Sequence, residues 1–182
     1  MRRALLIVAV VAGALAPFAG GIDRTAPRLD VQRLAEAVVA EEDHVTAIEL
    51  ARWIRDRKPR LRVVDLRDAS AFAAYHVPSA ENVPLQSLVA AQLPKNDTVV
   101  LISDGGAHAA QAWVFLQALG YRDVYFLRGG LQEWLDDVMN PASATPDLAE
   151  LSRYFGGAPR AVAPAGALPA NDRVAAMRRR GC

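Results

Sequence analysis

The chain has 182 residues, 52% of them hydrophobic and 23% charged, a composition typical of a globular protein of one domain with extensions. Its formal net charge of +1 provides no large basic field, so we expect no nucleic-acid partner. The single cysteine is Cys182. An internal disulfide is therefore excluded, and this residue is either a free thiol or a bridge to another chain.

The first 21 residues have the pattern of a targeting segment. Arg2 and Arg3 precede an apolar run from Ala4 to Ala16, and small residues follow it. This order is typical of a secretory signal peptide. Extended to Ile22, the run is about as long as a bilayer-spanning helix, so an uncleaved membrane anchor is the alternative. Both alternatives predict an exported protein, either periplasmic or anchored to the membrane by its N-terminal segment.

Residues 22–42 are predicted to be a linker followed by a helix. Asp30 is a suitable N-cap, and apolar residues recur at helical spacing from Val31 to Ala40. A second helix is predicted to begin after Thr46, because Glu49 three residues later completes a capping box.

From His44 onward the pattern alternates between strands and helices. The predicted strands are His44–Val45, Leu61–Leu66, Ala80–Val83, Thr98–Ile102 and Val124–Leu127. The predicted helices after Thr46 are Asp68–Tyr75, Leu85–Leu93, Ala107–Leu119, Leu131–Val138 and Asp147–Tyr154. Strands that alternate with helices at this spacing indicate an α/β fold, with a parallel sheet covered by helices on both faces.

The C-terminal part has a different composition. Residues 156–170 are rich in Gly, Ala and Pro and have no apolar periodicity, which predicts a flexible linker. A last turn or two is predicted over Asp172–Arg180, before the terminal Cys182. The arginines at 178–180 are interpreted as a solvated basic terminus.

Three sequence signatures follow one another between residues 43 and 139. The first is VDLR at 64–67 with YHVPSAENVPL at 75–85, the second is VVLISDGGAHAAQAWVFLQALGY at 99–121, and the third is VYFLRGGLQEW at 124–134. In this order and spacing they closely resemble the rhodanese-like family of sulfurtransferases. The resemblance implies a rhodanese-like domain over residues 43–139, with residues 140–182 as a C-terminal helix, linker and cysteine-ending tail.

The resemblance also implies a site in the loop after the central strand. In that family the strand ends on a cysteine that carries a persulfide, held in a cradle of backbone N–H groups at a helix N-terminus. The position that matches the cysteine is Ser103. The cradle loop consists of Ser103, Asp104, Gly105, Gly106, Ala107 and His108.

The side chains of this loop do not suit sulfur transfer. A serine hydroxyl cannot bear a persulfide, Asp104 adds negative charge, and His108 stands where many family members have arginine. Asp65 and Arg67 are expected to support the site, most simply as an ion pair at a strand end. We therefore expect a binding or regulatory module without the usual catalytic cysteine, whose partner is an envelope protein or a small sulfur-containing anion.

Two enzymatic alternatives stay open. The thiol of Cys182, on a tail long enough to reach the Ser103 loop, is a candidate sulfur carrier and a candidate link in a dimer. Ser103 with His108 and either Asp65 or Asp104 has the residue types of a hydrolase triad, although the G-x-S-x-G turn is missing. The sequence contains no metal-ligand cluster and no nucleotide-binding glycine motif, so no metal and no cofactor are expected.

Overall fold

A computed structural model describes residues 30–142 and 145–159. The predicted targeting segment and the predicted tail with Cys182 lie outside the described residues. The strands are β1 (His44–Val45), β2 (Leu61–Asp65), β3 (Glu81–Asn82), β4 (Thr98–Ile102) and β5 (Val124–Leu127). The α-helices are α1 (Val31–Val39), α2 (Ala47–Arg55), α3 (Ala69–Ala74), α4 (Ala107–Ala118), α5 (Gly130–Glu133) and α6 (Pro146–Tyr154).

The five strands form one sheet in the order β1-β5-β4-β2-β3, and all pairs are parallel. The predicted α/β fold is therefore confirmed. β4 lies in the centre and is buried along its whole length, as expected for a strand covered on both faces. Asp65 pairs with Ile102, so the carboxyl ends of β2 and β4 lie side by side and Ser103 follows directly.

Two hydrophobic cores pack against the sheet. One is built around Trp134, which has no exposed surface, and includes Leu50 of α2 and Leu151 of α6. The other is built around α4, with Trp113 and Leu116 buried. The helices thus cover both faces, and the sheet edge at the carboxyl ends of the strands holds the loops.

The predicted helix over Leu85–Leu93 is wrong. Only Leu85–Ser87 forms a short 3₁₀ helix, and turns follow it. Gln92 has a positive φ of 46° just before Pro94, a conformation that ends helical structure. Leu88 and Leu93 are both buried, so this segment is held to the core by two anchors rather than by a regular helix.

The predicted helix over Leu131–Val138 is present but is not uniformly α-helical. It begins at Gly130, and Trp134–Met139 forms a π-helix. The wider turn closes with a hydrogen bond from the Asn140 N–H to the Leu135 carbonyl at 2.9 Å. Trp134 and Val138 are both fully buried in this segment.

The helices at the two ends of the described chain are attached very differently. Leu151 of α6 is fully buried in the core. The ring of Phe155 lies edge-on to that of Trp134, with 5.1 Å between the ring centroids. α1 buries no residue; only Leu34 and Ala37 pack partly against the domain. Among the helices of the described residues, none is both long and apolar enough to cross a membrane.

Candidate functional site

Ser103 is placed directly after β4, and its side chain turns into the loop that follows. The residue is 3% exposed. Its hydroxyl oxygen accepts the backbone N–H of Gly106 at 3.1 Å and that of Ala109 at 3.2 Å. The oxygen therefore lies inside a ring of backbone donors, where it satisfies one of the free N–H groups in the first turn of α4.

The loop owes its shape to glycine. Gly106 is the N-cap of α4 with a φ of 88°, a left-handed conformation that glycine adopts at little cost. It has no side chain to cap the helix, and the Ser103 hydroxyl takes over that role. Asp104 and Gly105 are exposed at the tip of the loop. The loop therefore lies at the positive end of α4, and whether it binds an anion there stays a prediction.

The backbone of a second glycine pair, Gly129-Gly130, packs directly against this loop, and we term this pair the glycine floor. The N–H of Leu131 donates to the Ser103 carbonyl at 2.9 Å, and the N–H of Gln132 donates to the Asp104 carbonyl at 3.2 Å. A Cβ on Gly130 would collide with both of these carbonyl oxygens and with the Gly106 nitrogen. The absence of a side chain at Gly130 therefore lets the backbones of the two loops come into direct contact.

Asp65 and Arg67 form a buried ion pair beside the loop. Their side chains are 0% and 7% exposed, and Arg67 Nη2 lies 2.7 Å from Asp65 Oδ2. The Arg67 Nε and backbone N–H both donate to Asp65 Oδ1 at 3.0 Å. These hydrogen bonds raise the pKa of the Arg67 guanidinium above its ordinary value. The expected supporting pair is therefore present, with the guanidinium permanently charged.

Arg67 also contacts the backbone after α3 and the side chain of Asp104 in the loop. Its Nη2 donates to the Tyr75 carbonyl at 2.6 Å, and its Nη1 lies 3.7 Å from the exposed carboxylate of Asp104. Asn82 donates to the carbonyls of Asp65 and Arg67 at 3.2 and 2.9 Å. Sequence reasoning did not single out the Asn82 amide, although its place beside the VDLR signature was the available signal.

His108 does not join Ser103. It is exposed on the first turn of α4, and within the described residues the Ser103 oxygen bonds only to backbone N–H groups. The hydrolase triad considered above is therefore not assembled. Two other histidines have local partners: His44 bonds Asp43 at 2.8 Å, and His76 stacks on Phe72 at 4.0 Å.

The described residues contain no group of three or more His, Cys, Asp or Glu side chains able to hold a metal ion. The loop instead offers the chemistry of backbone amides. Backbone amides of this kind can donate hydrogen bonds to anions or to carbonyl groups.

Comparison with known proteins places this geometry in a class. The family model described as the rhodanese-like domain matches residues 46–137. A sulfurtransferase from Allochromatium vinosum is 32% identical over 74 residues, which are 40% of this chain and 69% of that protein. The thiosulfate sulfurtransferase GlpE of Pseudomonas aeruginosa is 33% identical over 91 residues, 48% of this chain and 80% of that one.

The chain belongs to the rhodanese-like domain family. Among solved structures, a rhodanese-like domain protein from Staphylococcus aureus is 26% identical and covers 52% of this chain and 93% of its own, with a TM-score of 0.48. The human single-domain sulfurtransferase TSTD1 is 25% identical over 51% of this chain and 95% of its own, with a TM-score of 0.46. The matched residues 46–137 include the whole Ser103 loop and contain no cysteine.

Proposed function

We propose that this protein is a rhodanese-like binding module in which Ser103 occupies the position of the family's sulfur-carrying cysteine. The observation that carries the proposal is the state of the Ser103 hydroxyl, which is buried and accepts the N–H groups of Gly106 and Ala109. Sulfur transfer needs a thiolate at this point to attack the outer sulfur of thiosulfate, form the persulfide and release sulfite. A hydroxyl that caps a helix does not perform this step.

The charges around the loop support the same proposal. Asp104, 75% exposed at the tip, presents a carboxylate at the mouth of a backbone cradle suited to anions. The guanidinium of Arg67 offsets this charge at 3.7 Å but is already engaged by Asp65. His108 is exposed on the first turn of α4 and does not supply the permanent positive charge that an arginine at this position would supply. The loop therefore favours a neutral or hydrogen-bonding group over thiosulfate.

The partner proposed for this module is an envelope protein, with a small sulfur-containing anion as the other class of ligand. The proposal rests on the exported or membrane-anchored location that the apolar run Ala4–Ala16 predicts. A partner loop could approach the Ser103 loop at its tip, where Asp104 and Gly105 are exposed.

The intact mass of the reduced full chain tests this function after incubation with thiosulfate. The natural chain is compared with Cys182→Ser, which removes its only thiol. We expect no sulfur adduct on either protein, together with sulfite release no faster than in buffer. Sulfur atoms that appear on the natural chain and disappear in Cys182→Ser would instead establish the tail thiol as a sulfur carrier.

Direct binding is tested on the same Cys182→Ser protein. Thiosulfate is titrated while the backbone amide resonances of Gly105 and Gly106 are followed, with Gly156, which is remote in sequence and also has a positive φ of 78°, as the control. Saturating shifts at the loop glycines alone would identify the anion as the ligand. Unchanged resonances favour the protein partner.

A further inference from the structure

Helix α1 presents an apolar face that the domain leaves uncovered. Val31, Val38 and Val39 are 66%, 52% and 85% exposed. Ala35, also exposed, lies between them on the helix surface because residues three and four apart are neighbours. On the inward side of α1, the hydrophobic residues that pack against the core are Leu34 and Ala37, and both are only partly buried. Uncovered apolar surface of this kind is typical of an interaction site.

This apolar face lies among acidic residues. Asp30, Glu36, Glu41 and Glu42 lie on or beside α1. The guanidinium groups near them are those of Arg33 on the helix and Arg122 across the cavity between α1 and the domain, so carboxylates outnumber them. Within the described residues, none of these side chains takes part in a salt bridge. The occupant of the face is therefore expected to be apolar and basic.

Two occupants fit this chemistry poorly. An anionic bilayer attracts amphipathic helices that carry Lys and Arg on the polar face, whereas α1 is surrounded by carboxylates. A second copy of α1 would place the same carboxylates opposite one another, because a two-fold interface pairs identical surfaces. Like charges across an interface disfavour such pairing.

The C-terminal segment of the same chain has the complementary composition. Residues 171–182 read NDRVAAMRRRGC, with Val174 and Met177 as apolar groups and arginine at 173 and 178–180. The connection over residues 160–170 spans at most roughly 40 Å when extended, at about 3.5 Å per residue. A domain of this size is about 30–35 Å across, so the segment is long enough to reach α1.

We propose that residues 171–182 dock on the uncovered face of α1 in the same molecule. The valines of α1 cover Val174 and Met177, and the arginines at 178–180 lie against Glu36, Glu41 and Glu42. The short connection gives the segment an effective concentration on the order of millimolar, which compensates for a small contact area. Docking there holds Cys182 near α1 rather than at the Ser103 loop.

Crosslinking from the natural Cys182 tests this placement in the full chain. Val39→Cys provides the second thiol, and Val89→Cys is the matched control, because Val89 is likewise an exposed valine at 57%. With a short bismaleimide, we expect intramolecular crosslinking to position 39 about tenfold faster than to position 89. High salt should reduce the difference because the contact is partly ionic.

Charge exchange provides the second arm of the test. Replacing the three arginines at 178–180 by glutamate should reduce crosslinking at position 39 to the level of position 89, and adding E36K, E41K and E42K should restore it. Equal rates at positions 39 and 89 in the natural charge background would overturn the proposal. Crosslinks found mainly between two molecules would also overturn it, since the tail would then dock on a second copy. A preference that survives the arginine replacement would assign the contact to something other than these charges.

Discussion

The Ser103 loop and helix α1 are built in opposite ways. The loop is fixed by backbone hydrogen bonds from two sides, by a glycine floor and by the buried pair Asp65–Arg67. Helix α1 has a good N-cap in Asp30 but buries no residue. None of the contacts that shape the loop requires a thiol. The difference teaches that the Ser103 loop is an integral part of the domain, whereas α1 lies at its edge with an apolar face uncovered.

The largest effect is expected at the ion pair that supports the loop. Asp65→Ala leaves the Arg67 guanidinium buried without its carboxylate, which should lower the free energy of unfolding by about 3–5 kcal/mol. Asp56→Ala is the control, because its carboxylate pairs with Arg55 at the surface and is 61% exposed, so little or no loss of stability is expected. Urea unfolding of both variants measures the contrast. Equal losses would mean that the pair does not hold the loop.

The glycine floor should give the next largest effect. Gly130→Ala places a methyl group against the carbonyls of Ser103 and Asp104 at a φ of 60°, and we expect a loss of about 2–3 kcal/mol from overpacking and backbone strain. Gly105→Ala is the matched control within the same loop, since a Cβ there meets nothing within 4 Å. Thermal unfolding of the two variants shows whether Gly130 stabilises the Ser103 loop or serves only to turn the chain. A Gly130→Ala protein as stable as Gly105→Ala would contradict the structural role assigned here.

The smallest effect is expected in α1. Leu34→Ala removes one of the two side chains that pack α1 on the domain, and because Leu34 is only partly buried we expect a loss below about 1 kcal/mol. Leu151→Ala in α6 is the comparison, because that side chain is fully buried and its truncation should cost about 2–5 kcal/mol. Similar losses in the two helices, measured by denaturant unfolding, would show that α1 is a firm part of the domain.

Most of the fold was predictable from the sequence because its signals are local. The buried run at Thr98–Ile102 and the capping box at Thr46 and Glu49 mark their elements directly, and the structure confirms both. The helix predicted over Leu85–Leu93 was wrong because the leucines of this segment are spaced as in a helix. In fact, Leu88 and Leu93 are anchored separately to the core, with a positive φ at Gln92. Such an arrangement depends on tertiary contacts that no short window contains.

The candidate site was predictable in position but not in detail. The resemblance located the loop, and strand adjacency places Asp65 beside it. The two N–H groups that Ser103 accepts depend on the exact conformation of the loop and the first turn of α4. The contact of Gly130 with the loop depends on tertiary packing of the turn after β5. Cys182 lies outside the described residues, so its role in sulfur chemistry stays a prediction.

The central claim is that the backbone of the Ser103 loop can still hold a persulfide if a thiol is supplied, although Asp104 and His108 weaken thiosulfate binding. The most direct test replaces Ser103 by Cys in a Cys182→Ser background and measures, after thiosulfate, both the intact mass and the sulfite released, with Ser103→Ala as the control. The account predicts one added sulfur atom and sulfite release in the cysteine variant alone. A folded cysteine variant that acquires no sulfur and releases no sulfite would contradict it, and would show that Asp104, His108 or the loop itself has lost the capacity to hold a persulfide.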